Sequence, residues 1–419
     1  MSLDPIKIRH QFPALQRPEV YLDNPGGTQV AKHALDRVLE YLIENNANHD
    51  GVFATSRASD EMIARTRAAM ADFLNAAGPE EILFGANMTT LTFHLARSLA
   101  RRLQPGDTIV VTRLDHDANI SPWLLLAEDR GCRVEWVDFN PQDGTLDLAS
   151  FERALESKPK LVAFGLASNA LGTVNPAIRL TELAHRAGAL VFVDAVHYAP
   201  HGPIDVRAGG FDFLACSPYK FFGPHMGVLY GRRELLDDLF AYKVRPASDD
   251  LPTKFETGTQ NHEAIAGLAG TLEYFEWLGR EFGRDETAGL SGRYQGRALV
   301  YKQACAAIRP HENDLSLALL KALQDTPAAT IYGLTDPARF NERVPTFAFR
   351  LPNLTPRRIA EEMDKDGLFV WDGNYYALEV TRRLGVEEQG GMVRVGAVHY
   401  NTRDEIARFG KSLARIAKL

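Results

Sequence analysis

The chain has 419 residues, of which 45% are hydrophobic and 24% are charged, and its formal net charge at pH 7 is −7. This length suits two domains, or one large α/β domain with an appendage, and the mild acidic excess without a basic stripe disfavours a nucleic-acid partner. Because the sequence contains neither an apolar run of membrane-spanning length nor the apolar core of a signal peptide, we expect a cytoplasmic protein with no membrane partner.

Apolar runs alternate with helical patterns between about residues 80 and 231. The predicted strands are Ile82–Gly85, Thr108–Thr112, Arg133–Phe139, Leu161–Ala167, Leu190–Ala195, Phe211–Cys216 and Gly227–Tyr230. These runs are almost continuously apolar, as strands covered on both faces require. The alternation predicts an α/β fold, in which a mostly parallel seven-stranded sheet has helices on both faces.

Two helices between these strands have clear terminal signals. One is predicted to open with Ser121-Pro122, a capping residue followed by proline in the first turn. Another is predicted over Ile178–Ala187 and to stop at Gly188.

The pattern changes after about residue 285, where helical stretches alternate with short strands. The helical stretches are Leu315–Leu323, Thr355–Asp366 and a final helix from about Arg403, and the strands are Thr346–Arg350, Leu368–Trp371 and Met392–Gly396. We therefore predict a large domain over residues 20–284, and a smaller α+β domain formed by residues 1–19 and 285–419.

The three cysteines, Cys132, Cys216 and Cys305, are too few for a disulfide framework and have no C-x-x-C spacing. We expect all three to be small buried residues. We also expect no metal site.

Polar residues follow the ends of five predicted strands. These segments are Asn87-Met88-Thr89-Thr90, Asp115-His116-Asp117-Ala118-Asn119, Ser168-Asn169, Asp194 with His197 beyond it, and Ser217-Pro218-Tyr219-Lys220. Ligands of open α/β sheets bind beyond the carboxyl ends of the strands. Five such segments at one edge predict a functional site there.

Some of the residues at this edge suit a phosphorylated aldehyde. Met88 and Thr89 offer N–H groups and a hydroxyl to an anion, although a plain helix cap also explains them. Ser217 and Tyr219 can add hydroxyl donors to the same phosphate. Lys220 follows a buried strand, where desolvation lowers the pKa of an amine and makes it nucleophilic towards a carbonyl, although most lysines are simply solvated.

Asp194 points to the ring of the same ligand. A carboxylate at the end of a buried strand needs a cationic partner, which a protonated pyridine nitrogen supplies, although capping of the next helix is an alternative. His116 can lie flat against the ring or be a structural histidine. Asn169 and His197 can hydrogen-bond the phenolic oxygen. Together these residues predict pyridoxal 5′-phosphate (PLP), held by Lys220 as a Schiff base.

The chain resembles a known family in a set of motifs that occur in the same order along nearly its whole length. They are Tyr21-Leu22-Asp23, Asp115–Trp123, Ser168–Thr173, Val193-Asp194, Ser217–Lys220, Phe255–Thr259, Arg394-Val395-Gly396 and Tyr400-Asn401-Thr402. This set resembles the class V aminotransferase family of fold-type-I PLP enzymes, in its cysteine desulfurase-like branch.

The resemblance implies a role for each matching cofactor residue. Lys220 would be the Schiff-base lysine and proton shuttle, Asp194 the partner of the pyridine nitrogen and His116 the stacking residue. Asn169 and His197 would lie near the phenolic oxygen.

The resemblance also implies phosphate, subunit and substrate contacts. Thr89 and Ser217 would bind the phosphate, and Thr259 would reach the phosphate of the neighbouring subunit in a homodimer. Arg394 would clamp the carboxylate of an amino-acid substrate, because a planar guanidinium matches that group.

The sequence departs from the desulfurase pattern near the substrate. The loop that carries the persulfide cysteine in desulfurases reads Trp371–Ala377 here, with Tyr376 at the cysteine position, and a phenol cannot form a persulfide. Residues 24–28 replace an alanine-rich turn, and glycines let a backbone approach a ligand closely. Gly26, Gly27 and Tyr376 are therefore predicted to shape the substrate pocket.

We predict a PLP-dependent enzyme that acts on an amino acid through an external aldimine, as an aminotransferase or as a C–S or C–Se lyase of the β-elimination type. Two alternatives remain open. One is a cysteine desulfurase that works by a non-standard route, and the other is a non-catalytic PLP-binding protein.

Overall fold

The structure is a computed structural model that describes residues 3–287 and 289–419. The strands are β1 (Val20–Tyr21), β2 (Ile82–Gly85), β3 (Thr108–Thr112), β4 (Arg133–Val137), β5 (Leu161–Gly165), β6 (Leu190–Asp194), β7 (Phe213–Cys216), β8 (Gly227–Gly231), β9 (Thr330–Tyr332), β10 (Thr346–Arg350), β11 (Leu368–Phe369), β12 (Trp371–Gly373) and β13 (Met392–Gly396). The helices are α1 (Pro5–Arg9), α2 (Lys32–Glu40), α3 (Ala54–Leu74), α4 (Met88–Ala100), α5 (Ser121–Arg130), α6 (Leu148–Leu155), α7 (Ala177–Arg186), α8 (Val206–Gly209), α9 (Arg233–Asp238), α10 (His262–Phe282), α11 (Gly296–Gln324), α12 (Pro356–Asp364), α13 (Leu378–Arg383) and α14 (Arg403–Ile416).

The large sheet has the strand order β2-β8-β7-β6-β5-β3-β4. Strand β8 runs antiparallel to β2 and β7, and the other neighbouring pairs are parallel. The short connection between β7 and β8 explains the reversal, because parallel neighbours need a long crossover. The predicted mostly parallel seven-stranded sheet is confirmed.

Side chains of the large sheet pack into two separate apolar cores, one on each face of the sheet. Along β3, Val110 packs into one core, whereas Ile109 and Val111 pack into the other. Helices α3, α7 and α10 cover the first face, and α4 and α5 cover the second. This double cover is why the strands could be predicted from continuous apolar runs.

Some predicted strands are too long at the polar edge. The strand predicted over Leu161–Ala167 ends at Gly165, and the one predicted over Arg133–Phe139 ends at Val137. Leu166 and Ala167 are apolar but lie beyond the last paired residue of β5, and Ala167 bridges Val174 instead. An apolar run therefore predicts burial better than it predicts where strand pairing stops.

The two helix-end predictions had different outcomes. Helix α7 ends before Gly188, whose φ of 85° lies in the left-handed region that glycine favours, as predicted. The predicted capping role of Ser121 is wrong, because α5 begins at Ser121 and Ile120 occupies the cap position. The Ser121 hydroxyl instead donates to a charged acceptor, Asp117 Oδ2, at 2.5 Å. No helix in the described part of the chain is long and apolar enough to cross a membrane.

A smaller antiparallel sheet has the order β12-β13-β10-β9, and β1 pairs in parallel with β11. The single strand predicted over Leu368–Trp371 is two strands with different partners. Helix α11, predicted only over Leu315–Leu323, places Tyr301 and Ile308 in the core of the large sheet and its last turns in the core of the smaller sheet. The predicted domain division stays a prediction.

The burial of the cysteines differs from the expectation at one position. Cys216 and Cys305 are buried, whereas Cys132 is partly exposed. Cys132 lies in the turn before β4, which is an edge strand of the large sheet, so only part of its surface is covered.

Candidate active site

A cavity of about 850 Å³ lies beyond the carboxyl ends of the large sheet. It is lined by predicted cofactor residues, Met88, Thr89, His116, Asn169, Asp194 and His197. It is also lined by Ser217, Tyr219, Lys220, Gly26, Tyr376 and Arg394. The fold thus brings these residues to one place, while the role of each one stays a prediction.

Lys220 lies in the helical turn Pro218–Lys220 that follows β7. Its Nζ donates a hydrogen bond to the carbonyl oxygen of Pro25 at 2.5 Å. Burial and the cation of Arg394 lower the pKa of Lys220 to about 7, against the opposing charges of Asp194 and Asp23. A large fraction of this amine is therefore neutral at physiological pH, as attack on an aldehyde requires.

Asp194 is the last residue of β6 and is 8% exposed. Its carboxylate accepts a hydrogen bond from the backbone N–H of Val196 at 2.8 Å, so it does cap the next turn. Burial raises the pKa of Asp194 to about 6, although the Val196 hydrogen bond and the charge of Lys220 act in the opposite direction. A cationic ring nitrogen beside this carboxylate would lower the pKa and keep the carboxylate charged.

The start of α4 combines a cap with free N–H groups. The Asn87 side chain accepts from the Thr90 N–H at 2.8 Å, which makes Asn87 the cap. The N–H groups of the first helical residues, Met88 and Thr89, have no partner inside the helix and can bind an anion. Strand β8 passes so close that a Cβ on Gly227 would lie 2.4 Å from the carbonyl carbon of Asn87.

His116 is held as a neutral imidazole. Its Nδ1 accepts from the Ala118 N–H at 3.0 Å, which places the ring proton on Nε2. Burial and the cations of Lys220 and Arg394 lower the pKa of His116 to about 3. The ring stacks on the Tyr376 ring, with 5.5 Å between centroids and 19° between planes.

Arg394 extends from β13 of the smaller sheet into the cavity and contacts two loops. Its Nη1 donates to the carbonyl oxygen of Asn169 at 2.9 Å, and its guanidinium carbon lies 4.4 Å from the centroid of the Tyr375 ring. Burial lowers the pKa of Arg394 to about 10, so the side chain stays charged at neutral pH. Its Nε is buried without a hydrogen-bond partner among the described residues and is available to a carboxylate.

Asn169 and His197 meet other groups at the cavity wall. The Asn169 Nδ2 donates to the carbonyl oxygen of Tyr375 at 2.9 Å, and its Oδ1 is buried without a partner in the described part of the chain. The Nε2 of His197 lies 3.1 Å from the Thr346 hydroxyl. Burial first, and then the nearby His201, hold the pKa of His197 well below its usual value.

The loop between β12 and α13 forms one wall. Tyr375 and Tyr376 have φ of 55° and 59°, a left-handed conformation that is rare for bulky residues and concentrates at functional sites. The Tyr376 carbonyl accepts from the Asp117 N–H at 2.7 Å. A Cβ on Gly26 would lie 1.9 Å from Trp371 Nε1, so a larger residue there would have to displace the Trp371 ring.

Two predicted site residues do not line the cavity. Gly27 packs against Tyr219, where a Cβ would lie 3.3 Å from Cδ2, and its predicted contact with substrate stays a prediction. Thr259 is exposed. The preceding Glu256 forms a buried ion pair with Arg67 of α3 at 2.6 Å. Its carboxylate also accepts from the Phe84 N–H of β2 at 2.6 Å, which fixes the start of this segment to the large sheet. The predicted role of Thr259 in the neighbouring subunit stays a prediction.

Several residues that line the cavity were not predicted as site residues from the sequence. They include Phe93, Asp117, Ser121, Trp371, Asp372 and Tyr375. Asp117 and Ser121 lie within the motif around His116, and the other loop residues flank Tyr376. A search of each motif for every side chain with a polar or aromatic group would have found most of them.

Comparisons with known proteins extend over the whole chain. The sequence profile of the family described as Aminotransferase class-V matches residues 20–297 and 279–409. The aminotransferase-like protein FGM3 of Gibberella zeae is 33% identical over 95% of both chains, and a cysteine desulfurase of Serratia proteamaculans is 32% identical over 100% of both. The apo cysteine desulfurase of Thermococcus onnurineus NA1 has a TM-score of 0.87 at 26% identity over 100% of both chains. The cysteine desulfurase CsdA of Escherichia coli, as its S-sulfonic acid form, has a TM-score of 0.83 at 25% identity over 100% of this chain and 99% of that one.

Proposed function

Since this chain belongs to the class-V aminotransferase family, whose members are PLP-dependent enzymes, we propose that it acts on an α-amino acid as an aminotransferase or as a β-elimination lyase. One observation carries the proposal: Lys220, Asp194 and Arg394 line the same cavity. An amine, a carboxylate and a guanidinium can respectively hold an aldehyde, a cationic ring and a substrate carboxylate.

The donor set fits PLP. The pKa of Lys220 is lowered to about 7, the Asp194 carboxylate has a raised pKa that a cation would relieve, and α4 begins at the same cavity. The N–H groups at the start of α4 suit a phosphate. PLP, when bound, supplies an electron sink that stabilises negative charge at the substrate Cα.

The other parts of the reaction are assigned to three side chains of the cavity. We propose that Lys220 Nζ removes the proton from the substrate Cα, because an amine with a pKa of about 7 can act as a base near neutral pH. Arg394 would bind the substrate carboxylate through its unpartnered Nε and so orient the Cα proton towards Lys220. His116 would cover the ring of the cofactor as a neutral group that adds no competing charge.

Sulfur relay through a protein persulfide is disfavoured. Tyr376 stands at the position of the relay cysteine, and none of the described residues that line the cavity is a cysteine. Relatives named cysteine desulfurase therefore support the shared family, not the relay step. A lyase that releases its leaving group directly needs no protein thiolate.

We also infer that the protein acts as a homodimer in which Thr259 contacts the phosphate site of the partner subunit. The exposure of Thr259, on a segment anchored by the Glu256–Arg67 ion pair, supports this assignment.

The proposed reaction is tested by mixing the holoenzyme with a panel of amino acids while cofactor absorbance and products are followed. An aminotransferase should leave the amino form of the cofactor and a keto acid. A β-elimination lyase should regenerate the aldehyde form and release the side-chain leaving group, while the remaining carbon skeleton hydrolyses to a keto acid and ammonia. The amino form of the cofactor and the release of ammonia therefore distinguish the two reactions. If no amino acid changes the absorbance, the proposal is wrong and a non-catalytic PLP-binding protein is favoured.

The same preparation tests Lys220. Lys220→Ala should abolish the cofactor adduct that borohydride fixes and lower turnover by about a thousandfold, because it removes the proposed base. Lys32→Ala, which changes an exposed lysine of α2, is the matched control. A covalent adduct that persists in the Lys220 variant would refute the assignment.

A further inference from the structure

The carboxylates that line the cavity differ in their partners within the described part of the chain. Four aspartates line the cavity, Asp115, Asp117, Asp194 and Asp372. Asp194 belongs to the proposed cofactor site, and Asp372 lies 3.4 Å from the guanidinium of Arg357. This leaves Asp115 and Asp117 to be explained.

Asp115 is buried among hydrogen-bond donors of the protein, whereas Asp117 is half-buried. Thr112 and Asn119 hydrogen-bond the Asp115 carboxyl group, and burial raises its pKa to about 7. The Asp117 carboxylate accepts from the Ser121 hydroxyl at 2.5 Å, a neutral partner. In the described part of the chain no cationic side chain pairs with half-buried Asp117.

Asp117 lines the same cavity as two exposed aromatic residues. Its backbone N–H donates to the Tyr376 carbonyl at 2.7 Å, which fixes it against the loop between β12 and α13. Tyr376 is 73% exposed and Trp371 is 47% exposed, and both line the cavity. A carboxylate and aromatic rings that line one cavity have the chemistry that recognises an ammonium or guanidinium group.

We propose that the substrate is a basic α-amino acid, whose cationic side chain binds Asp117 and the rings of Trp371 and Tyr376. This inference rests on the proposed function, in which Arg394 takes the α-carboxylate. An apolar side chain would suit the two rings, but it would cover the Asp117 carboxylate without pairing it, which is unfavourable. A cationic side chain satisfies the carboxylate and both rings together.

The test compares basic amino acids with neutral isosteres, lysine with norleucine and ornithine with norvaline, on the holoenzyme. The measured quantity is the concentration that half-saturates the change in cofactor absorbance. For lysine it should be lower than for norleucine by about tenfold or more, as expected for a partly buried charge-assisted contact. Asp117→Asn should reduce this ratio to within about threefold, and Asp117→Glu, which keeps the charge, should retain most of it.

Asp325→Asn, which changes an exposed carboxylate at the end of α11, is the control and should leave the ratio unchanged. If neutral isosteres react and bind as tightly as the basic amino acids, the inference is overturned while the proposed function stands. A full preference that survives Asp117→Asn overturns the role of Asp117. If no amino acid in the panel changes the absorbance, the proposed function itself fails.

Discussion

At the scale of single residues, burial and neighbouring charges of both signs set the pKa of the Lys220 amine. Loss of water and the Arg394 cation favour the neutral form of Lys220, whereas Asp194 favours the charged form. Because the first two dominate, the pKa of Lys220 falls to about 7. Arg394, which is proposed to bind the substrate, thus also helps to lower the pKa of Lys220.

This balance predicts the pH dependence of cofactor capture by the apoprotein. A lowered pKa leaves the amine protonated below about pH 7 and neutral above it, so the rate of covalent PLP attachment should rise with pH through about 7 and then level off. Arg394→Met removes a neighbouring cation, which makes protonation of Lys220 easier and should move the midpoint to higher pH. The measurement is the absorbance of the adduct after PLP is added at each pH.

The control for this pH profile is Arg408→Met, which changes an exposed arginine of α14. Its midpoint should match that of the unmodified protein. An unchanged midpoint in Arg394→Met would show that the Arg394 cation does not contribute to the lowered Lys220 pKa.

At the scale of secondary-structure elements, the proposed phosphate site depends on how closely β8 approaches the start of α4. A Cβ on Gly227 would lie 2.7 Å from the Met88 nitrogen as well as 2.4 Å from the Asn87 carbonyl carbon. Both are backbone atoms, so neither can move without displacing the helix start. Glycine at position 227 therefore allows β8 to approach α4 without displacing the N–H groups at the start of the helix.

Gly227→Ala should weaken PLP binding by about tenfold or more and lower the free energy of unfolding by about 1–3 kcal/mol, because the strand and helix must separate. PLP titration of the apoprotein and urea unfolding measure the two effects. Gly231→Ala, at the other end of β8, places a Cβ nearest to side-chain atoms of Leu236, at 2.8 Å, and should lose stability without losing PLP affinity. Equal losses of PLP affinity in both variants would contradict a local effect on α4.

The polar edge of the large sheet also depends on a strained loop between two elements. Asn169 and Asp117 follow different strands, and both donate to backbone carbonyls of the loop between β12 and α13. These contacts hold Tyr375 and Tyr376 in left-handed conformations. The loop is thereby fixed as a wall of the cavity.

At the scale of the whole molecule, hydrogen bonds of the Asn24 side chain link an N-terminal segment to a C-terminal segment of the chain. Its Nδ2 donates to the carbonyl oxygens of Tyr21 and Gly396 at 2.9 and 2.8 Å, and the Tyr400 hydroxyl donates to its Oδ1. Asn401 also donates to the Tyr21 carbonyl at 3.0 Å. All of these groups are buried or nearly so, and a lost partner would leave them unsatisfied.

Asn24→Ala should therefore lower the free energy of unfolding by about 1–3 kcal/mol, since it leaves buried carbonyl and hydroxyl groups without partners. Urea denaturation measures the loss. Gln16→Ala changes an exposed amide in the same N-terminal segment and should have little effect. A stability unchanged in Asn24→Ala would mean that water or neighbouring groups replace the lost hydrogen bonds.

The large sheet and the approximate location of the site follow from the amino-acid sequence alone. Strands buried on both faces appear as continuous apolar runs, so β2 and β3 could be predicted to the residue, as could β10 and β13 of the smaller sheet. Because the carboxyl ends of parallel strands lie at one edge of a sheet, the polar segments after them meet there. The ordered motifs around His116, Asp194 and Lys220 indicate the family, which the family match over the chain confirms.

Contacts between residues that are distant along the chain could not be predicted from the sequence. Residues more than two hundred positions apart are joined by the packing of Trp371 over Gly26, by the hydrogen bond from Asp117 to the Tyr376 carbonyl and by the pairing of β1 with β11. No local pattern carries such contacts, because apolar periodicity reports burial and not the identity of the neighbour. For the same reason, the lack of a cationic partner for Asp117 among the described residues has no signal in the sequence.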